Sequence, residues 1–281
     1  MKRFLKILAL AVGAVMFMAV PVQAKENMIP NYEVKFILDS SQVVSDSGKL
    51  KKTYRTEFKT GNDYKTIGVE YVETADYSFY NEGWTNRIRI KENGEDFELT
   101  YKKRYTIENG DIETALTKAN EDGFDISDTN YEAQVDWNYS KMTLSISNNK
   151  TASNNGYSDL ELPGKKKAIK ILSNNMPGKE ENWMTKAWGT AKIENGKKCG
   201  PIYYLKYSGE IAGVDVDIEI WPITAAGSDA AEYITEISFK EDTYDAAAAN
   251  REGVMSALES YGILQTEDTL KTKKILDAYL Q

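Results

Sequence analysis

The sequence contains no histidine and a single cysteine, Cys199. A chain without histidine cannot carry a Ser-His-Asp or Cys-His catalytic set, an imidazole general base or a histidine-ligated zinc ion. One cysteine cannot form an internal disulfide, and a partly buried small side chain is its simplest interpretation. Any chemistry must therefore use carboxylates, amines, guanidinium groups, hydroxyls or a hard metal ion.

Long apolar runs are absent after the first 24 residues. Residues 1–24 begin with the basic Met1-Lys2-Arg3, continue through an apolar run and end in Val22-Gln23-Ala24, which together predict a signal peptide. The mature chain would then be residues 25–281, either secreted or held in the periplasm or cell envelope. An uncleaved N-terminal anchor is the alternative. No later run approaches the roughly 20 apolar residues of a membrane-spanning helix, so no integral membrane segment is expected after cleavage.

An excess of positive charge is also missing. The formal net charge is −8, and loss of Lys2, Arg3 and Lys6 with the predicted leader changes it to −11. Nucleic-acid binders need a basic surface against the phosphate backbone, so we expect no nucleic-acid partner. Any anion-binding site must be local.

The chain does contain many alternating apolar and polar runs, which predict half-buried β-strands. The most informative are 86–91 and 97–104, joined by Glu92-Asn93-Gly94-Glu95-Asp96. Asn-Gly between two such runs predicts a hairpin with a type I′ turn, because both residues tolerate a positive φ. Further runs of this type occupy 31–39, 67–73, 131–137, 141–147, 202–208, 214–220 and 233–240.

The polar faces of these strands carry charges of both signs. They are either solvated surfaces or, if the sheet closes with its apolar side outward beneath helices, the lining of a tunnel. We predict the tunnel, in a single α+β domain over 25–281. Helices are predicted near 112–119, and over 246–261 and 270–280 in a C-terminal helical region of about 245–281. The Asn-, Gly- and Lys-rich stretch of about 148–200 is interpreted as a connector inserted between two halves of one sheet.

Several motifs occur in a familiar order: Tyr32-Glu33-Val34-Lys35-Phe36, Tyr71 to Asp76, Arg87-Ile88-Arg89 and Leu99-Thr100-Tyr101-Lys102. In this order the chain resembles the CYTH superfamily of triphosphate tunnel metalloenzymes, most closely over residues 31–104. The resemblance implies an antiparallel, closed or nearly closed eight-stranded β-barrel with helices packed outside. It also implies a small polyphosphate or nucleotide ligand and Mg²⁺ or Mn²⁺ as cofactor.

The resemblance further assigns roles to residues of this chain. Catalysis would fall to Glu33 and Glu236. Divalent metal would be held by Glu33, Asp217, Glu219 and Glu236, since carboxylate oxygens suit Mg²⁺ and Mn²⁺. Substrate phosphates would be bound by the cations Lys35, Arg87, Arg89, Lys102, Arg104 and Lys240.

One position departs from the family motif. Asn31 stands where the family has its first glutamate, so the opening strand is one carboxylate short. Two functions stay open: a metal-dependent hydrolase of tripolyphosphate or a nucleoside triphosphate, and a catalytically inactive tunnel that binds a polyanion or small ligand in the cell envelope. A cyclase and a lipocalin-like carrier are further alternatives, although a carrier should have an apolar interior. The sequence does not determine the oligomeric state.

Overall fold

The alternating runs form the strands of one barrel. The computed structural model describes residues 25–224, 231–268 and 271–280. The predicted signal peptide lies outside the described residues. The strands are β1 (Asn31–Leu38), β2 (Lys65–Glu73), β3 (Trp84–Lys91), β4 (Asp96–Ile107), β5 (Glu132–Trp137), β6 (Met142–Ser153), β7 (Lys197–Ile211), β8 (Val214–Ile223), β9 (Glu232–Glu241) and the short β10 (Leu264–Gln265).

The sheet closes on itself. Its strand order is β10-β1-β5-β6-β4-β3-β2-β7-β8-β9, and β9 also pairs with β1 over most of its length. The predicted α+β barrel is thus confirmed, with two differences in detail. Nine strands close the barrel instead of eight, because each alternating run forms its own strand. The β1–β5 pair is parallel, because an odd number of strands cannot alternate in direction at every pair around a closed barrel.

The predicted hairpin is the β3–β4 pair, in which Arg89 lies opposite Glu98. Its turn differs from the predicted type I′, because Asn93 has a φ of 59° but Gly94 does not have a positive φ. Gly94 is still required, since a Cβ atom there would lie 2.8 Å from the Lys91 carbonyl oxygen.

Nine helices are described in these residue ranges. They are α1 (Ser40–Val43), α2 (Lys52–Glu57), α3 (Ser78–Asn81), α4 (Ile112–Glu121), α5 (Lys165–Asn175), α6 (Gly178–Glu181), α7 (Trp188–Ile193), α8 (Tyr244–Ser260) and α9 (Lys271–Leu280). The predicted helix near 112–119 is α4, and its Asp111 cap accepts a hydrogen bond from the Thr114 backbone N–H. The stretch interpreted as a connector contains the end of β6, helices α5 to α7 and the start of β7. None of the described helices is both long enough and apolar enough to cross a membrane.

Most helices cover the outside of the barrel. Apolar side chains of α4, α5 and α8, such as Leu116, Leu172 and Val254, belong to one buried cluster with Val34, Phe36, Ile88 and Leu99 of the strands. In β1 the burial alternates residue by residue, so that Glu33 and Lys35 face the other way, into the barrel. The apolar face is therefore turned outward beneath helices, as the tunnel interpretation requires.

The last helix does not follow this arrangement. Ile275, Leu276 and Leu280 of α9 are buried in a second apolar cluster. That cluster contains Tyr204 and Trp221, which line the barrel interior, together with Val69 of β2 and Ile234 of β9. Helix α9 thus packs against the inner face of the barrel wall, which is a difference in detail from the predicted helices outside. An apolar stripe predicts that a helix face is buried but does not say on which side of a sheet.

Candidate functional site

The barrel interior contains a cavity of about 350 Å³. Its wall carries seven cationic and five acidic side chains, although the whole chain is acidic. The cations are Lys35, Arg87, Arg89, Lys102, Arg104, Lys240 and Lys271, and the acids are Glu33, Glu132, Asp136, Glu219 and Glu236. The described part of the chain therefore surrounds this cavity with a local excess of positive charge.

Alternation within the strands explains how these side chains meet. Arg87 and Arg89 of β3, and Lys102 and Arg104 of β4, are spaced two residues apart, so each pair faces the same side of the sheet. Thr85 lies opposite Lys102 in the β3–β4 register. The predicted substrate-binding residues all line the cavity. So do the predicted carboxylates Glu33, Glu219 and Glu236, whereas Asp217 does not.

Two guanidinium groups in the cavity have no acidic partner among the described residues. Arg87 donates from Nη2 to Thr100 Oγ1 at 3.0 Å, and its buried Nε has no hydrogen-bond partner in that part of the chain. Arg104 donates from Nη1 to Thr85 Oγ1 at 2.6 Å. Hydroxyl partners do not neutralise these charges, although Asp136 acts on Arg104 from a distance. Buried charge without a close ion pair is costly in a folded protein. This arrangement favours an anionic ligand.

Lys102 lies in the same group. Burial, together with the neighbouring Lys35 and Arg104, lowers the pKa of Lys102 to about 8, although Asp136 opposes this shift. The carboxylate of Asp136 is 3.9 Å from the Lys102 Nζ atom, at the limit of an ion pair. An anion beside Lys102 would stabilise its charged form.

Arg89 is less available than its neighbour on β3. Its Nε donates to Glu98 Oε2 at 2.7 Å, and Lys91 also pairs with Glu98. Glu98 does not line the cavity, so Arg89 makes this ion pair with a residue outside the cavity wall. Arg89 can therefore border a bound anion, but its charge is already partly compensated. Of the two arginines predicted to grip phosphate, Arg87 is the freer one.

Lysines of the described residues hold four of the five acidic side chains of the cavity, namely Glu33, Asp136, Glu219 and Glu236. Lys35 Nζ lies 2.7 Å from Glu33 Oε2 and 2.9 Å from Asp136 Oδ1. Burial alone would raise the pKa of Asp136, but Lys102 and Lys35 hold it well below its ordinary range. Asp136 also accepts a hydrogen bond from Ser145 at 2.5 Å. Glu33, predicted to be catalytic and metal-binding, is thus part of a buried ion-pair network.

The second acidic pair is Glu219 and Glu236. Lys271 Nζ lies 3.0 Å from Glu219 Oε2 and 2.9 Å from Glu236 Oε1. Burial opposes ionisation of Glu219, yet Lys271 lowers the pKa of Glu219 to about 2. Asp217, the remaining predicted metal ligand, pairs with Lys206 at 2.7 Å and accepts a hydrogen bond from Ser208.

This arrangement bears on the predicted metal. Mg²⁺ requires carboxylate and water oxygens at about 2.0–2.1 Å around a free position. Lysine ammonium groups already contact the three predicted carboxylates that line the cavity, and no group of three metal-ligating side chains is found within the described ranges. These residues, as arranged, do not fit a divalent metal. The Mg²⁺ or Mn²⁺ cofactor stays a prediction from the resemblance.

Asp136 and Lys271 take part in the ion pairs of the cavity but were not predicted as site residues. Asp136 lies two residues after Gln134 on the polar face of its strand, so alternation alone could have included it. Lys271 belongs to the predicted C-terminal helix and has no sequence signal that would place it inside the barrel. Only the packing of α9 against the inner apolar cluster brings it there.

Comparison with known proteins gives structural matches only. No protein-family model and no curated protein sequence matches the chain. HpAC1 from Hippeastrum, named as an adenylyl cyclase and reported to have a dominant triphosphatase activity, is 10% identical with a TM-score of 0.51, over 89% of this chain and 96% of that chain. A candidate adenylate cyclase from Bacillus halodurans is 16% identical with a TM-score of 0.45, over 89% and 98% of the two chains. PH1819 from Pyrococcus horikoshii is 14% identical with a TM-score of 0.40, over 86% and 98%. At these identities the likeness to HpAC1 establishes the fold alone.

Proposed function

Because this chain has the tunnel fold of the CYTH superfamily, we propose that it binds a small polyanionic phosphate compound in its barrel. Tripolyphosphate and nucleoside triphosphates are the ligand class. The observation that carries the proposal is the group of Arg87, Lys102 and Arg104, whose charges converge on the cavity with hydroxyl partners or a distant carboxylate.

The chemistry of each cation suits phosphate oxygens. The planar guanidinium groups of Arg87 and Arg104 can each donate two parallel hydrogen bonds to one phosphate. Lys102 supplies a compact charge with three donors, and the exposed Lys240 adds another cation to the cavity wall. A ligand with several negative charges would compensate all four groups at once, which a single-charge anion would not do.

Hydrolysis is the second candidate. HpAC1, which shares the fold, is reported to have a dominant triphosphatase activity, and this favours a hydrolase. Against it, the carboxylates of Glu33 and Glu236, predicted to be catalytic, are held by Lys35 and Lys271. A carboxylate fixed by an ammonium is a weaker general base than a free one. The site geometry therefore supports binding better than turnover.

Binding is tested by titrating the purified protein with tripolyphosphate by calorimetry, in the presence of EDTA. We expect micromolar or tighter binding, and about a tenfold or greater loss of affinity in Arg87→Ala and in Arg104→Ala. Lys166→Ala is the control, because it removes one charge from an exposed position on α5. No heat of binding, with no rise in melting temperature, would refute the proposal.

Hydrolysis is tested separately by following phosphate release from tripolyphosphate and ATP with Mg²⁺ or Mn²⁺. Metal-dependent release that disappears in Glu236→Gln would establish the second candidate. Binding without release would leave the protein as a polyanion-binding tunnel.

We further propose that the protein is exported. Its basis is the signal peptide predicted over residues 1–24, which lies outside the described residues. Expression of the full chain in a bacterial host should yield a mature form beginning at Lys25 in the periplasm or medium. N-terminal sequencing that finds residues 1–24 intact on a cytosolic protein would contradict this proposal.

A further inference from the structure

Glu219 and Glu236 form a cross-strand pair of like charges. Strands β8 and β9 are antiparallel, and these two residues are direct partners in their register. Both line the cavity, and both side chains are largely buried. Two carboxylates opposite each other on one face of a sheet repel unless a cation lies between them. This position therefore requires positive charge in the folded protein.

The ammonium group of Lys271 supplies that charge. It contacts Glu219 Oε2 at 3.0 Å and Glu236 Oε1 at 2.9 Å, and it lies 4.2 Å from the centre of the Trp221 ring. Two of its three N–H donors are used by the carboxylates, and the aromatic face adds a cation–π contact. The third donor is left for a ligand in the cavity, which Lys271 also lines.

Helix α9 fixes the position of this ammonium. Ile275 follows Lys271 by one helical turn, so both lie on the same side of the helix. Ile275 is fully buried and Leu276 is 2% exposed, within the inner apolar cluster. The cation is thus anchored to the protein interior by apolar packing and does not depend on the solution concentration of any ion.

We propose that Lys271 is a tethered cation that takes the place of a divalent metal between Glu219 and Glu236. The tunnel then binds its anion without added metal, and Lys271 donates its third N–H to that anion. Only the part of this inference in which Lys271 contacts an anion rests on the proposed function. The exclusion of metal by Lys271 is a separate property, and it can be measured with no phosphate compound present.

The test uses Mn²⁺ alone, titrated into the full chain and followed by electron paramagnetic resonance. Wild-type protein should show no tight Mn²⁺ site, whereas Lys271→Ala should bind one Mn²⁺ at least about tenfold more tightly, because removal of the ammonium leaves two buried carboxylates unpaired. The gain should disappear in the double variant Lys271→Ala with Glu236→Gln.

Two variants separate this effect from a general change of charge or fold. Lys274→Ala removes an exposed charge from the same helix and should leave Mn²⁺ binding as in wild type. Lys271→Arg keeps a cation at this position and should also exclude Mn²⁺. That result would show that α9 still packs in the inner apolar cluster when residue 271 is changed. Circular dichroism confirms that each variant is folded.

Two results would overturn the inference. One is a tight Mn²⁺ site in wild-type protein that Glu236→Gln removes, since the ammonium would then not exclude metal. The other is a folded Lys271→Ala variant that binds no Mn²⁺. Failure of tripolyphosphate to bind would refute the proposed function but would leave both Mn²⁺ results interpretable.

Discussion

At the scale of single residues, Lys102 has the most unusual environment in the cavity. It is buried beside Lys35 and Arg104, and burial lowers its pKa from an ordinary 10.5 to about 8. An anion bound nearby would raise this pKa again, because it favours the charged form. Anion binding and protonation of Lys102 are therefore linked.

This linkage predicts a pH dependence of affinity. Below about pH 7 Lys102 is charged before and after binding, so Lys102 should add no pH dependence to the affinity for tripolyphosphate. As pH rises through about 8, the free protein loses the charge and binding must recover a proton, so the affinity should fall by up to about tenfold per pH unit. Calorimetry in buffers from pH 6 to about 9.5 measures this.

The matched control is Lys102→Arg, which stays charged throughout that range. It should remove most of the fall, and any remaining change belongs to the ligand. An identical pH profile in wild type and Lys102→Arg would show that Lys102 does not bind the anion.

Glu180 of α6 is a second unusual residue, on the outer side of the barrel. It is completely buried, its carboxyl oxygens have no hydrogen-bond partner among the described residues, and burial raises its pKa to about 8. The unfolded carboxyl group titrates near 4.5, so the folded state binds the extra proton between these values. Protonated Glu180 therefore makes its whole contribution to the free energy of unfolding below about pH 4.5. That contribution declines as pH rises above 4.5 and is lost as pH passes through about 8.

Glu180→Gln should remove that decline, because an amide does not ionise. The melting temperature of the variant should exceed that of wild type at pH 8 by several degrees, since each kcal/mol of unfolding free energy shifts it by about 2–4 °C. The difference should shrink at pH 5. Thermal denaturation at both values measures it. Glu194→Gln, at an exposed position, should change neither melting temperature. A loss of stability in Glu180→Gln at pH 8 would contradict the argument.

At the scale of elements, α9 joins the barrel interior to the C-terminal end of the chain. Leu276 is 2% exposed in the inner apolar cluster. Leu276→Ala should lower the free energy of unfolding by about 2–5 kcal/mol, or release α9 while the barrel stays folded. Denaturant unfolding, followed together with proteolysis of the C-terminus, distinguishes these two outcomes.

The exposed Lys274 provides the control for that experiment, because Lys274→Ala changes the same helix without touching the cluster. Equal stability and equal protease resistance of Leu276→Ala and Lys274→Ala would show that α9 is not held by this packing.

The strands were more predictable than the helix positions. Runs such as 31–39 and 214–220 alternate strictly, and alternation states both that a strand forms and which residues share a face. The site residues on β1, β3, β4, β8 and β9 follow from that rule. The location of α9 does not, since its apolar stripe suits the outer core as well as the inner cluster. The lysine partners of the acidic residues depend on tertiary packing and could not be predicted for that reason.

At the scale of the whole molecule, the net charge of the chain is negative, whereas the wall of the barrel cavity has an excess of positive charge. The net charge is −8, while the cavity wall carries seven cations and five acids. The cations of the cavity wall, a few Å from a ligand, should affect anion binding more than the distant acidic residues do. Salt screens charges beyond about 10 Å at 0.1 M. The affinity for tripolyphosphate should therefore fall as NaCl rises from about 50 to 500 mM. Calorimetry at these two concentrations decides the point, since an affinity that rises with salt would mean that the overall negative charge prevails.

Closure of the barrel was predicted from the charged polar faces and the resemblance, and it is observed. The count of nine strands follows from the alternating runs themselves, whereas the parallel β1–β5 neighbours do not. Local patterns do not specify which strands become neighbours, because that order is set by the packing of the whole sheet.

The position of α9 has a consequence for the traffic of ligands. The helix takes up part of the barrel interior and brings Lys271 and Thr272 to the cavity wall. A remaining space of about 350 Å³ can hold a few phosphate groups but not a long phosphate polymer. A long polymer can therefore insert only a short section, and tripolyphosphate should compete with it for the same cavity.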